Sequence, residues 1–150
     1  VTVAEGRTVN PELRHRARQA ALQILYQWEI GKNSVDRAAD TLFGLQWPDP
    51  APPPEELREF ATRLAYDTVA RLDAVDALIA ETSERWRPER MAVLDRLILR
   101  MATCELSRDP ETPAAVVINE ALELARTFSS EDSVKFINGM LDGIRRKMER

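Results

Sequence analysis

Apolar residues recur along most of this chain at three- and four-residue intervals, the spacing that lines one side of an α-helix. Between Asn10 and Gly31, the residues Leu13, Ala17, Ala20, Ala21, Ile24, Leu25 and Trp28 fall on one such side. Asn10 suits an N-cap, Pro11 the first turn, Glu12 the positive end of the helix dipole and Gly31 the stop. A second, shorter helix follows, capped by Asn33 or Ser34, with Val35, Ala38, Ala39, Leu42 and Phe43 inward. The segment Gly44 to Pro54 is too rich in proline for helix and reads as a semi-rigid surface loop, or secondarily as a ligand for a proline-binding domain.

The third helix spans Glu55 to Arg71 through Leu57, Phe60, Ala61, Leu64 and Ala65, and Asp73 caps a fourth that runs to about Arg85. The alternative at that junction is one unbroken helix over 55–84. Pro88 opens a fifth, with Met91, Leu94, Ile98, Met101 and Ala102 as its stripe. Glu105 lies on that stripe, so a carboxylate heads inward; the expected role is capping free N–H groups at the helix start marked by Thr112 and Pro113. The sixth helix covers Pro113 to Phe128; Ser129-Ser130-Glu131-Asp132 breaks it and starts the seventh, with Val134, Ile137, Leu141, Ile144 and Met148 inward. Nothing reads as a strand. The expectation is one all-α domain over 1–150, about seven helices in two small three-helix-type bundles, with sub-bundles near 10–72 and 73–150. Residues 1–9 read as a loose N-terminal arm in which Arg7 adds a phosphate contact.

The face of the first helix opposite its apolar stripe changes the picture. Arg14, His15, Arg16 and Arg18 crowd its first two turns, and His15, Gln19, Leu22, Gln23 and Tyr26 form a second line beyond them. The net charge of −4 argues against nucleic acid, yet the acidity is unevenly spread. Residues 1–32 hold five Lys/Arg against three Asp/Glu, residues 33–76 four against nine, and residues 77–150 twelve against thirteen. Phosphates feel local charge, and locally the first helix is basic. On the seventh helix Phe136 sits at the edge of its stripe beside Lys135 and after Asp132, which suits either a base-stacking platform or a wide helix contact.

Chemistry for catalysis is missing from the pattern. His15 is the only histidine, which removes histidine-based triads and zinc motifs. No glycine-rich phosphate loop is present, and the lone Cys104, inside an apolar pattern, reads as a buried thiol suited to a reducing cytosol. No apolar run is long enough to span a bilayer, and the N-terminus is no signal peptide. A binding module, with no cofactor or metal, is the class that is left.

Three separated motifs carry a family resemblance. Arg14-His15-Arg16-Ala17-Arg18 with Gln23, Leu25 and Tyr26 resembles the arginine-rich opening helix of the NusB antitermination family. Leu99-Arg100-Met101-Ala102 leading to Glu105-Leu106 is similar to its central helix. The most specific stretch is Ile118-Asn119-Glu120-Ala121, Glu123-Leu124-Ala125, Phe128, then Glu131-Asp132-Ser133, Lys135-Phe136, Asn138-Gly139 and Leu141-Asp142. The resemblance covers about residues 10–148.

It implies a cytoplasmic, non-enzymatic platform that binds boxA of nascent ribosomal RNA leader transcripts. It also implies the ribosomal small-subunit protein NusE as partner, and RNA polymerase as the machine made resistant to termination. On this reading Arg14, His15, Arg16, Arg18, Asp132, Lys135 and Phe136 meet RNA, while Leu22, Tyr26 and Asp95 meet the protein partner. The chain departs from the family pattern at His15, where arginine is common, at Gln19, at Thr103-Cys104 and in the proline-rich loop. Of these, His15 bears on RNA affinity and makes it sensitive to pH. Two other readings stay open: an RNA-targeting NusB-like domain of a ribosomal RNA cytosine methyltransferase, for which no methyl-donor fold is present, and a helical self-associating protein that uses the Leu22–Tyr26 line for a second copy.

Overall fold

The computed structural model describes residues 10–84 and 86–150, so the expected arm over 1–9 and Arg7 lie outside the described residues. Among these residues the chain forms seven α-helices and no strand: α1 (Pro11–Glu29), α2 (Val35–Leu45), α3 (Glu55–Ala70), α4 (Leu72–Thr82), α5 (Val93–Arg108), α6 (Ala114–Phe128) and α7 (Glu131–Lys147). A short 3-10 turn at Pro88–Arg90 precedes α5, so Pro88 opens that turn and the α-helix starts later than expected.

The helix ends follow local chemistry. The Asn10 side chain accepts from the N–H groups of Glu12 and Leu13 at 3.1 and 3.2 Å. Ser34, of the two candidates, caps α2 by accepting from Arg37 N–H at 3.1 Å. Gly31 follows the end of α1 for a reason other than left-handed backbone, which falls on Lys32 with φ 58°. A Cβ on Gly31 would stand 2.7 Å from the Gln27 carbonyl oxygen, so only glycine lets the chain turn that closely. The α3–α4 break is a single residue, Arg71, with φ −107° and ψ 20°; Asp73 sits in the first turn of α4 and does not cap it.

Helix α3 packs on α1, α2 and α5, whereas α4 packs chiefly on α5 and α7. Helix α5 is the common element, touching α1, α3, α4, α6 and α7. Every residue from Leu97 to Leu106 is buried, so α5 is covered on all sides, where the sequence pattern predicts a single apolar stripe. The buried apolar residues of all seven helices join into one core.

Full burial of α5 leaves its polar side chains in need of partners. Arg100 donates from Nε and Nη2 to the two oxygens of Asp76 on α4, both at 2.9 Å, and reaches Glu29 of α1 at 3.5 Å. Glu105, 2 % exposed, accepts from Arg18 of α1 at 3.0 and 2.5 Å, and Arg18 is itself 4 % exposed. Burial opposes the charge on Arg18, but hydrogen bonding and charge from Glu105, with Glu120 and Asp109 farther off, raise its pKa above the ordinary arginine value.

This corrects the expected role of Glu105: the helix start near Thr112 is served by Asp109. Its carboxylate accepts from the N–H groups of Glu111 and Thr112 at 3.2 and 3.3 Å and from the Thr112 hydroxyl at 2.6 Å. Partial burial works against the Asp109 charge, but those hydrogen bonds and nearby Arg108 outweigh it and lower its pKa.

Two outcomes follow from these polar contacts. Arg18→Ala or Glu105→Ala alone should cost ~3–5 kcal/mol in urea unfolding, because each strands a buried charge, while joint replacement by leucine or methionine recovers most of the loss. Single variants near native stability would contradict the assignment. Asp109 contributes stability that is complete above the ordinary aspartate pKa of ~3.9 and is lost as pH falls through its lower native value. Asp109→Asn should therefore be less stable than the native chain at neutral pH, with the gap closing in strong acid; a gap independent of pH would contradict this.

Candidate nucleic-acid interface

Helical geometry turns the four basic residues of α1 in different directions, and each finds a different neighbour. The Arg14 guanidinium lies 4.3 Å from the centre of the Phe60 ring on α3, within cation–π range. Arg16 reaches across to the proline-rich loop, pairing with Asp49 and lying 5.2 Å from the Trp47 ring. Trp47 in turn packs on Phe43 with ring centres 5.6 Å apart, which ties the loop to α2. His15 turns towards α6, its Nδ1 3.0 Å from a carboxylate oxygen of Glu120 and its Nε2 3.4 Å from the Gln19 amide nitrogen.

Arg18 is a correction. Its guanidinium is sealed between Glu105 and the Phe60 ring, 5.3 Å away, and reaches Glu120 at 3.6 Å. A side chain 4 % exposed offers no surface to a phosphate. Arg16 keeps 35 % of its side-chain surface and its partner Asp49 keeps 49 %, so that pair is solvated and exchangeable.

A groove of about 620 Å³ runs beside these residues, lined by Arg14, Arg18, Glu56, Asp109, Glu111 and Glu120 among others. Its carboxylates outnumber its guanidiniums, so its field repels a polyanion. Arg16 lies outside that lining and is the cation of α1 best placed to meet phosphate, while Arg14, half-buried over Phe60, shares the groove with the carboxylates.

The second candidate surface is the start of α7. Ser130 caps this helix, its hydroxyl oxygen accepting from Ser133 N–H at 3.1 Å. Asp132 and Lys135 are exposed, and Phe136 is half-buried where it packs against the core edge. The Asp95 carboxylate, expected at a protein contact, faces this turn: its oxygens accept from the Ser129 and Ser133 hydroxyls at 2.6 and 2.7 Å.

The expected protein-partner line on α1 divides. Leu22 is 3 % exposed and belongs to the core, which removes it from any docking surface. Tyr26 is 36 % exposed, and Ile30, four residues on, is 50 % exposed, giving a small apolar patch at the C-terminal end of α1.

Sequence reasoning missed Phe60 as the ring beneath two guanidiniums, and Trp47 and Asp49 as partners of Arg16. Phe60 was legible only as an apolar position on its stripe. Trp47 and Asp49 carried no signal beyond being an aromatic and an acid in a loop. Cys104 is buried, and burial pushes its thiol pKa up, which removes it as a nucleophile. Among the described residues no group of His, Cys, Asp or Glu is arranged to hold a metal ion, and no helix is long and apolar enough to cross a membrane.

The chain matches the NusB family over residues 15–146. The transcription antitermination protein NusB of Koribacter versatilis (strain Ellin345) is 44% identical over 142 residues, spanning 95% of this chain and 94% of that protein. NusB of T. maritima superposes with a TM-score of 0.79 at 31% identity, covering 89% of this chain and 91% of that one. A chain from a crystal structure of antitermination factors NusB and NusE in complex with dsRNA superposes with a TM-score of 0.79 over 91% of this chain and 98% of that one. At 20% identity this last likeness speaks to fold alone. On sequence and fold together, the chain belongs to the NusB family, whose named relatives are transcription antitermination proteins and not enzymes.

Proposed function

We propose that this protein binds boxA RNA of nascent ribosomal RNA leader transcripts in the cytoplasm, jointly with the ribosomal protein NusE. The pair would then help RNA polymerase read through terminators. The observation that carries the reading is the division of labour on α1: Arg18 is consumed inside, while Arg16 stays solvated and Arg14 keeps partial exposure over Phe60 on a rigid, capped helix. Membership of the NusB family supports it, as does a neighbour of the same fold in a NusB–NusE–dsRNA complex.

In this mechanism the protein is a preorganised platform. A phosphate displaces Asp49 from Arg16, exchanging one solvated ion pair for another, and a second phosphate meets Arg14 over Phe60. His15, held by Glu120, can turn its other ring nitrogen from the Gln19 amide, 3.4 Å away, to RNA. At the start of α7, Lys135 supplies a cation and Phe136 a partly open ring face on which a base can stack, with Asp132 beside them as a hydrogen-bond acceptor. Tyr26 and Ile30 offer the protein partner an apolar contact.

The test is an anisotropy titration of boxA RNA against a scrambled control, with and without NusE, over a range of salt. The expected result is a boxA preference that NusE strengthens. Arg14→Ala and Arg16→Ala should each weaken all RNAs similarly and reduce the salt slope by roughly 0.7. Phe136→Ala should cost ~1–3 kcal/mol with little change in slope. Equal affinity for boxA and scrambled RNA in both conditions would overturn the reading.

A further inference from the structure

The side chains at the α6–α7 turn form a closed set around Asp95. Ser129, which ends α6, donates its hydroxyl to one Asp95 oxygen at 2.6 Å. Ser133, in the first turn of α7, donates to the other at 2.7 Å. Ser130 donates to the Ser133 hydroxyl oxygen at 3.1 Å and accepts from Ser133 N–H at 3.1 Å. Every hydroxyl proton in the set has an acceptor, and both carboxylate oxygens are used.

Asp95 itself stands in the first turn of α5, the helix buried most completely. Its charge thus lies at the positive ends of two helices, α5 and α7, where a carboxylate is favoured. It bridges the rigid centre of the fold to a turn that has few other ties, since Ser130, Glu131 and Asp132 are exposed. Ser133, by contrast, is buried at 9 % exposure, so the hydroxyl it gives to Asp95 is shielded from competing water.

We infer that Asp95 is a positioning residue for RNA binding, fixing through Ser129 and Ser133 the direction in which the start of α7 presents Asp132, Lys135 and Phe136. This rests on the RNA-binding reading above. It gives a residue expected to contact the protein partner a second role, since each carboxylate oxygen accepts one hydroxyl here and keeps a further lone pair. It also reverses a simple electrostatic expectation. Removing a negative charge next to a surface that binds a polyanion should by Coulomb's law tighten binding. Removing an anchor should loosen it.

The experiment compares native chain, Asp95→Ala, Asp95→Asn and the double variant Ser129→Ala/Ser133→Ala, using boxA RNA in anisotropy over a range of salt. Circular dichroism follows folding. Asp95→Ala should weaken binding about tenfold, roughly the worth of one charge-assisted hydrogen bond, and should lower the salt slope by roughly 0.7 as the Lys135 contact slackens. The serine double variant should match it, and adding Asp95→Ala to that double variant should weaken binding no further. Asp95→Asn, which keeps one carbonyl acceptor, should retain much of the affinity. Without RNA, amide exchange at Ser133 and Val134 should quicken in Asp95→Ala while α1 exchange is unchanged.

Should Asp95→Ala fail to fold, Asp95→Asn and the serine double variant carry the same comparison. Equal or tighter binding by folded Asp95→Ala, with the native chain binding boxA, would overturn the positioning role alone. A native chain with no affinity for boxA would overturn the RNA-binding reading and the positioning role together.

Discussion

A buried ion pair organises this molecule. Arg18 and Glu105 lie 87 residues apart in sequence and meet with both partners almost wholly removed from water. The Coulomb attraction of such a pair has to offset the desolvation of both charges, so its geometry must be good, and the two-pronged contact supplies that. Its larger effect is on specificity. An arginine that can be satisfied at one place only sets the rotation of α1 about its axis and its position against α5. From that rotation follow the solvated position of Arg16, the packing of Arg14 over Phe60, the inward packing of Leu22 and the meeting of His15 with Glu120.

The same logic extends along α5. A helix buried on all sides would satisfy its core with apolar residues alone, yet this one carries Arg100 and Glu105 within its buried run. Each is answered by a different helix, Asp76 of α4 with Glu29 of α1 for the first and Arg18 of α1 for the second. Asp95, at its N-terminal end, answers Ser129 at the end of α6 and Ser133 in the first turn of α7. The central helix therefore acts as a keyed axis: apolar burial supplies the stability, and charges at three heights set the register of its neighbours. An RNA-binding platform needs that rigidity, because affinity gained from a few cations is lost if the elements bearing them rotate.

The helices were legible because their caps, prolines and apolar spacing all act locally. Ser34 and Asn10 were readable as caps for this reason, and the break at Ser129–Asp132 as a helix start. The site was less so. Periodicity assigns a residue to a face but does not say how many faces are covered, which is why α5 looked one-sided and Leu22 looked exposed. Charge counting marked the first helix as basic but weighed Arg18 equally with Arg14 and Arg16, since the acid that consumes it lies on another helix far along the chain. Glu105 was seen to point inward, and its need for a partner was correctly felt, but Asp109 had taken the nearby N–H groups and a buried cation took Glu105. The tie between Arg16 and the loop at Trp47 and Asp49 left no trace in any local pattern. The family resemblance carried most of the functional reading, as sequence periodicity carried most of the fold.

One arginine of α1, Arg18, is structural, and Arg14 and Arg16 are the two proposed to meet RNA. The most direct measurement is a nitrogen–proton correlation spectrum of the arginine side chains, recorded as boxA RNA is added. The Nε–H signals of Arg14 and Arg16 should move on titration, while that of Arg18 should stay in place and remain protected from exchange with water. A shifting, readily exchanging Arg18 signal, with Arg14 and Arg16 unmoved, would contradict the account.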